Sequence, residues 1–133
     1  MRTEWVLLAA LAAFGASSTV GKAAGVTVLH PEPGLKCMLL DAHDLQATVQ
    51  SQLPPIRSAP SSNAPMIGYP SEIVLVRDPL QEQAGYVAVV RINGQPGWIA
   101  ADKLQPWRAM NGRPGKCIPT LLSNGRLGTH IEQ

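Results

Sequence analysis

The run from Tyr86 to Ile92, apolar but for Arg91, reads on a period of two residues. That is the sheet period: Tyr86, Ala88, Val90 and Ile92 fall on one face, and Val87, Val89 and Arg91 on the other. Asn93-Gly94 follows, the pair that best tolerates the two positive φ angles of a type I′ turn. A two-residue turn of that kind pairs Ile92 with Gln95, Val90 with Gly97, Val89 with Trp98 and Ala88 with Ile99. Ile99 then joins Ala88, Val90 and Ile92 on a core face, and Trp98 joins Val89 on the opposite one.

The same pattern reading predicts further short strands. Leu35–Leu40 places Leu35, Cys37 and Leu39 on one face, and Asp41–Asp44 is a turn or bulge. Leu45 to Gln52 alternates apolar or small with polar residues and ends at Pro54-Pro55, which favours a strand over a helix. Ser58 to Pro65 is a loop rich in Ser and Pro, and Met66 to Tyr69 is short and extended. Ile73–Val76 is a continuous apolar run, short enough for a strand buried on both sides. After Trp107, Asn111–Gly115 is turn-rich and Cys117–Leu122 is apolar enough to pack. Ser123 to Gln133 holds few anchors, so its end is expected to be mobile.

Two segments resemble bacterial SH3-like domains of exported proteins. Gly97-Trp98-Ile99-Ala100-Ala101-Asp102-Lys103-Leu104 is similar to the G-W-V-x-x-D-x-L ending, where a strand breaks into one 3₁₀ turn before a short last strand. Upstream, Ile56-Arg57-Ser58-Ala59-Pro60-Ser61-Ser62 followed by Pro65-Met66-Ile67-Gly68 is similar to the family's N-V-R-S-x-P-S and P-V-I-G segments. The usual L-N-V-R is one residue longer here, Leu53-Pro54-Pro55-Ile56-Arg57. The resemblance covers roughly Ala47 to Trp107, a little under half the chain. It implies an all-β fold, a small five-stranded SH3-like barrel over 47–107 with an N-terminal extension (25–46) and a C-terminal extension (108–133). It carries no catalytic residues. Arg57 is expected to brace the Ser58–Pro65 loop through backbone hydrogen bonds, and Asp102 to cap the 3₁₀ turn.

Length and composition agree with one small domain. The 133 residues include 12 Pro, 12 Gly and a single Phe, a mixture that suits short strands and turns. A formal net charge of +2, scattered along the chain, gives no basis for nucleic-acid binding. Residues 1–24 read as an export signal, with a weakly positive start at Arg2, an apolar run from Trp5 to Phe14, and small residues after it. That run is well short of the ~20 residues needed to span a bilayer, so no stable membrane insertion is expected once the signal is removed. The expected location is periplasmic or secreted, and the expected state monomeric.

Export changes how the two cysteines read. In an oxidising compartment Cys37 and Cys117 pair as one disulfide that joins the two extensions. It closes a loop of about 80 residues, worth roughly 4–5 kcal/mol by chain entropy. No C-x-x-C is present, and His30, His43 and His130 lack metal-ligand spacing, so neither metal nor cofactor is expected.

The candidate chemistry is binding. Peptide-binding SH3 domains end in G-Y-I-P-S-N-Y-V, whose first aromatic lines the ligand groove while the next residue is core. Aligned on it, Trp98 takes the groove position and Ile99 the core one; Ala100 replaces the groove proline and Lys103 the second tyrosine. The expected binding set is Trp98 with Tyr86, Tyr69 and Lys103, with Asn93 and Gly94 shaping the hairpin. The expected ligand is a peptide, a peptidoglycan component or an envelope protein. The alternative is a small secreted hydrolase or enzyme inhibitor that uses His43, His130 or the C-terminal tail, with Asp41 and Asp44 flanking His43.

Overall fold

The computed structural model describes residues 25–41, 43–46, 49–109 and 114–133. Residues 1–24, read above as an export signal, and most of the Asn111–Gly115 turn lie outside them. In chain order the strands are β1 (Val28–Pro31), β2 (Leu35–Leu40), β3 (Ile56–Arg57), β4 (Met66–Gly68), β5 (Ile73–Arg77) and β6 (Glu82–Gln83), followed by β7 (Tyr86–Val90), β8 (Pro96–Ala100), β9 (Leu104–Pro106), β10 (Lys116–Leu122) and β11 (Leu127–Glu132). Among the described residues no helix is long and apolar enough to cross a membrane.

Two antiparallel sheets result. The larger runs β4-β3-β8-β7-β5-β2-β9, with β6 beside β7, and no pairing among the described residues joins β4 to β9 to close it. The smaller runs β1-β10-β11. Leu35–Leu40, expected in an N-terminal extension, is an interior strand of the larger sheet, between β5 and β9. The C-terminal end is likewise ordered: Leu127–Glu132 pairs with β10 along its whole length. The tail has few apolar anchors, but its backbone has a ladder.

The turn between β7 and β8 corrects the expected register. Val87 lies opposite Ile99, Ala88 opposite Trp98 and Val89 opposite Gly97, one residue away from the two-residue prediction. The loop holds three residues, Ile92-Asn93-Gly94: Gly94 N–H donates to Arg91 O at 2.8 Å and Arg91 N–H to Gln95 O at 2.8 Å. Only Gly94 takes positive φ (85°), so this is a type I turn closed by a glycine bulge, not a type I′ turn. Asn93 instead accepts the Gln95 N–H on Oδ1 at 3.0 Å. The shift puts Ile99 with Val87 and Val89 inside, and leaves Ile92 in the loop, 54% exposed.

Ser123-Asn124-Gly125 repeats this turn between β10 and β11. Gly125 N–H donates to Leu122 O, Leu122 N–H to Arg126 O, and Arg126 N–H to Asn124 Oδ1, with Gly125 at φ 80°. The two turns touch, because Leu127 N–H donates to Ile92 O at 2.8 Å.

Leu45 to Gln52 is not a strand. Its described residues contribute to two single 3₁₀ turns, Asp44–Gln46 and Gln50–Gln52. Asp41 Oδ1 accepts the Asp44 N–H at 2.9 Å, and such side-chain caps draw a backbone into turns at the expense of strand pairing. Val49, half of the apparent apolar face, is exposed.

The core has two parts. Leu40, Ile56, Val74, Val76, Val87, Val89 and Ile99 pack on the inner face of the larger sheet. Gly97 is required there, since a Cβ would fall 2.5 Å from Ile56 Cγ2. Leu35, Cys37, Leu75, Val90 and Leu127 form the second part, with Trp107, Cys117 and Leu121 packed on it. It lies between the sheets, and β5 is therefore buried on both faces. The Cys37–Cys117 disulfide, with Cα atoms 6.0 Å apart, bridges them within this layer.

Two expected outcomes test this account. Replacing both cysteines by alanine removes a cross-link spanning 80 residues, and should lower the unfolding free energy in urea by roughly 4–5 kcal/mol. Gly94→Val and Gly125→Val should each cost about 1–3 kcal/mol, because a β-branched residue resists positive φ. Unchanged melting of either glycine variant would show that its turn is not built this way.

Candidate functional site

β8 holds the residues of the expected binding face. Arg57 on β3 lies opposite Trp98 on one side, and Ala88 on β7 lies opposite it on the other. Directly opposed residues of antiparallel strands share a face, so Ala88, Trp98 and Arg57 form a row across the sheet. Tyr86, opposite Ala100, is a diagonal neighbour of Trp98 on that face. Met66, 51% exposed and opposite Arg57, extends the row to the sheet edge. Trp98, Tyr86 and Arg57 are each half-buried.

Arg57 is held from behind. Its Nη1 donates to Ala64 O at 2.9 Å, while Ser58 N–H donates to Pro65 O and Ala64 N–H to Ser61 O. The loop 58–65 is thus hydrogen-bonded within itself and fixed to the guanidinium beside Trp98. The C-terminal sheet packs on Leu35, Cys37, Leu75 and Val90, with the partly buried Trp107 against the same cluster.

Tyr69 and Lys103 are not part of this row. Tyr69 lines a cleft of about 240 Å³ with Pro70, Val89 and Ile92, where β5 and β7 separate after their single paired position, Val76 with Val89. Lys103 O accepts the Asp41 N–H at 2.9 Å, which sets the lysine beside Asp41. Asp102 is exposed and caps nothing: the turn Ala101–Lys103 has no side-chain cap, and Asp102 sits within it.

His43, Asp44, Gln46 and Gln52 line a polar cleft of about 360 Å³. Asp44 is 7% exposed, and its Oδ2 is buried without a hydrogen-bond partner. Among the described residues that line it there is no serine, cysteine or lysine. His130 is on β11 opposite Ile118, in the other sheet. Among the described residues no three His, Cys, Asp or Glu side chains gather as a metal site.

An apolar cleft of about 260 Å³ was not legible in the sequence. Leu39, Ile73, Trp107 and Ile131 line it, with Glu72 and Arg108 also at its walls. These residues come from four separated segments and meet only because the smaller sheet docks on the larger, so no local motif marks them. No family model, curated protein or solved structure matches this chain.

Asp41 supplies a pH test of the turn that carries His43. Its carboxyl is held below the usual carboxylate range, chiefly by the Asp44 backbone N–H, with the charge of Lys103 adding a smaller effect. A depressed folded-state value means the contribution is complete above the unfolded value and is lost as pH falls through the folded one. Asp41→Asn should therefore reduce the fall in melting temperature between about pH 5 and about pH 2. An unaltered acid limb would show that the Asp41–Asp44 bond does not contribute in solution.

Proposed function

We propose that this chain is an exported, non-catalytic SH3-like binding module whose ligand, a peptide, peptidoglycan component or envelope protein, meets the face that carries Trp98. The observation that carries this reading is the row of half-buried Trp98 with Arg57 and Tyr86 across one face of the larger sheet. A half-buried indole fixed beside a guanidinium is a rigid, amphipathic contact of the sort that anchors interfaces. The SH3-like assignment is supported by the order β8, one 3₁₀ turn, β9 at Pro96–Pro106. Export is supported by the leader-like start together with a closed disulfide, since such bonds persist in oxidising compartments.

The test compares two neighbours on β8. Trp98→Ala should weaken capture from an envelope extract, or co-sedimentation with purified peptidoglycan, by about 2 kcal/mol or more. Ile99 is fully buried, and Ile99→Ala should cost roughly 2–5 kcal/mol of stability, more than Trp98→Ala does. If Trp98→Ala unfolds the protein as badly as Ile99→Ala, the tryptophan is core and the binding face must be sought on the Ser58–Pro65 loop.

A further inference from the structure

We propose that the cleft between β5 and β7 binds a carboxylate carried on a small apolar group, and that Arg91 holds it, independently of the Trp98 face. Val89 lies inside the larger sheet, and Arg91, two residues further on, shares its side; Ala88 and Trp98 are on the other. From there the Arg91 side chain crosses to β4, where its guanidinium lies over Gly68. A Cβ on that glycine would fall 2.7 Å from Nη2 and 3.1 Å from Cζ. Gly68 has no positive φ, so its missing side chain serves space and not backbone conformation. The next residue, Tyr69, lines the cleft together with Arg91.

Two donors of this cleft are uncommitted. Arg91 is half-buried, and its guanidinium has no hydrogen bond or ion pair among the described residues; only its main-chain N–H is engaged, with Gln95 O. The Tyr69 hydroxyl likewise has no partner among them. Ser71, by contrast, already donates its hydroxyl to Ile73 O at 3.1 Å. A cation drawn partly out of water costs stability until a counter-charge meets it.

The walls decide which anion fits. Among the described residues that line the cleft, Arg91 is the only charged group, so it is matched to one negative charge. Glu72 lines the clefts beside β11 and not this one. A guanidinium presents two parallel N–H donors to a carboxylate, and a phenol is a further donor. Ile56, Val74 and Val89 form apolar wall beside them, which suits an alkyl group and leaves a phosphate or sulfate dianion short of donors. At about 240 Å³, below the range of pockets for drug-sized ligands, the cleft holds one small group. Two sources carry that chemistry: the C-terminal residue of a peptide, and a free short-chain aliphatic acid.

The experiment titrates the full disulfide-bonded chain at neutral pH and follows its amide resonances. The probes are isocaproate, isocaproamide, acetyl-Ala-Ala-Leu with a free C-terminus, the same peptide amidated, and inorganic phosphate. Both acids should give saturable shifts at the Gly68, Tyr69 and Arg91 amides, and each amide probe should bind about tenfold or more weakly. Arg91→Gln should abolish that difference between acid and amide, which a mere loss of packing would not do. Gly68→Ala displaces the guanidinium while keeping its charge, and should weaken the acids about threefold or more. Arg77→Gln, an exposed arginine at the other end of β5, should leave them within about twofold. The comparison of acid with amide uses the unaltered protein, so it stands even if a variant does not fold. A peptide acid about tenfold tighter than isocaproate would make a peptide C-terminus the source, and equal or weaker binding the free acid. Amides that bind as well as acids, phosphate that binds more tightly than either acid, or an acid–amide difference that survives Arg91→Gln would each overturn the proposal. So would shifts confined to residues outside the cleft, or no saturable shift at all.

Discussion

The arrangement depends on one layer of side chains, the layer between the two sheets, with the Cys37–Cys117 bond running through it. Each sheet alone leaves an apolar face wet: Leu35, Leu75 and Val90 on the larger, Leu121 and Leu127 on the smaller. Burying a Leu or Val side chain is worth about 1.5–3 kcal/mol. A chain of this size has few such side chains, so the layer is a substantial part of what opposes chain entropy. The covalent bond acts here on two segments that lie 80 residues apart in sequence.

Legibility followed the range of the interactions. β2, β4, β5, β7 and β8 were readable because each carries its own apolar pattern, and the disulfide because only one pairing was possible. The hairpin turn was readable as a place but not as a type. Asn-Gly serves both two-residue and three-residue loops, and the choice fell to the Asn93 side chain and to Ile92 O, which accepts a bond from residue 127. The alternation at Leu45–Gln52 misled because Asp41 captures the following backbone in a turn. The end of β11 escaped notice because its stability lies in a ladder with β10 and not in its side chains.

The candidate site divides along the same line. Trp98 faces away from Ile99 under either register, since neighbours on a strand always do, so that inference survived an error of one residue in pairing. Arg57 joined the face through a pairing of β3 with β8 that no local pattern announces. Tyr69 and Lys103 were placed with Trp98 by analogy alone; Tyr69 lines a cleft with Val89 and Ile92, and Lys103 O accepts the Asp41 N–H.

The burial of β5 on both faces has a consequence for anyone who trims the chain to its family-like portion. A fragment cut at Ala47 and Trp107 would lack β2, whose ladder with β5 and β9 holds the middle of the larger sheet. It would also lack the sheet that shields Leu75 and Val90. Two apolar strips and an unpaired central strand would face solvent together, the combination that drives chains to aggregate. The folding unit is therefore longer than segment 47–107, since it includes β2 and the β1-β10-β11 sheet.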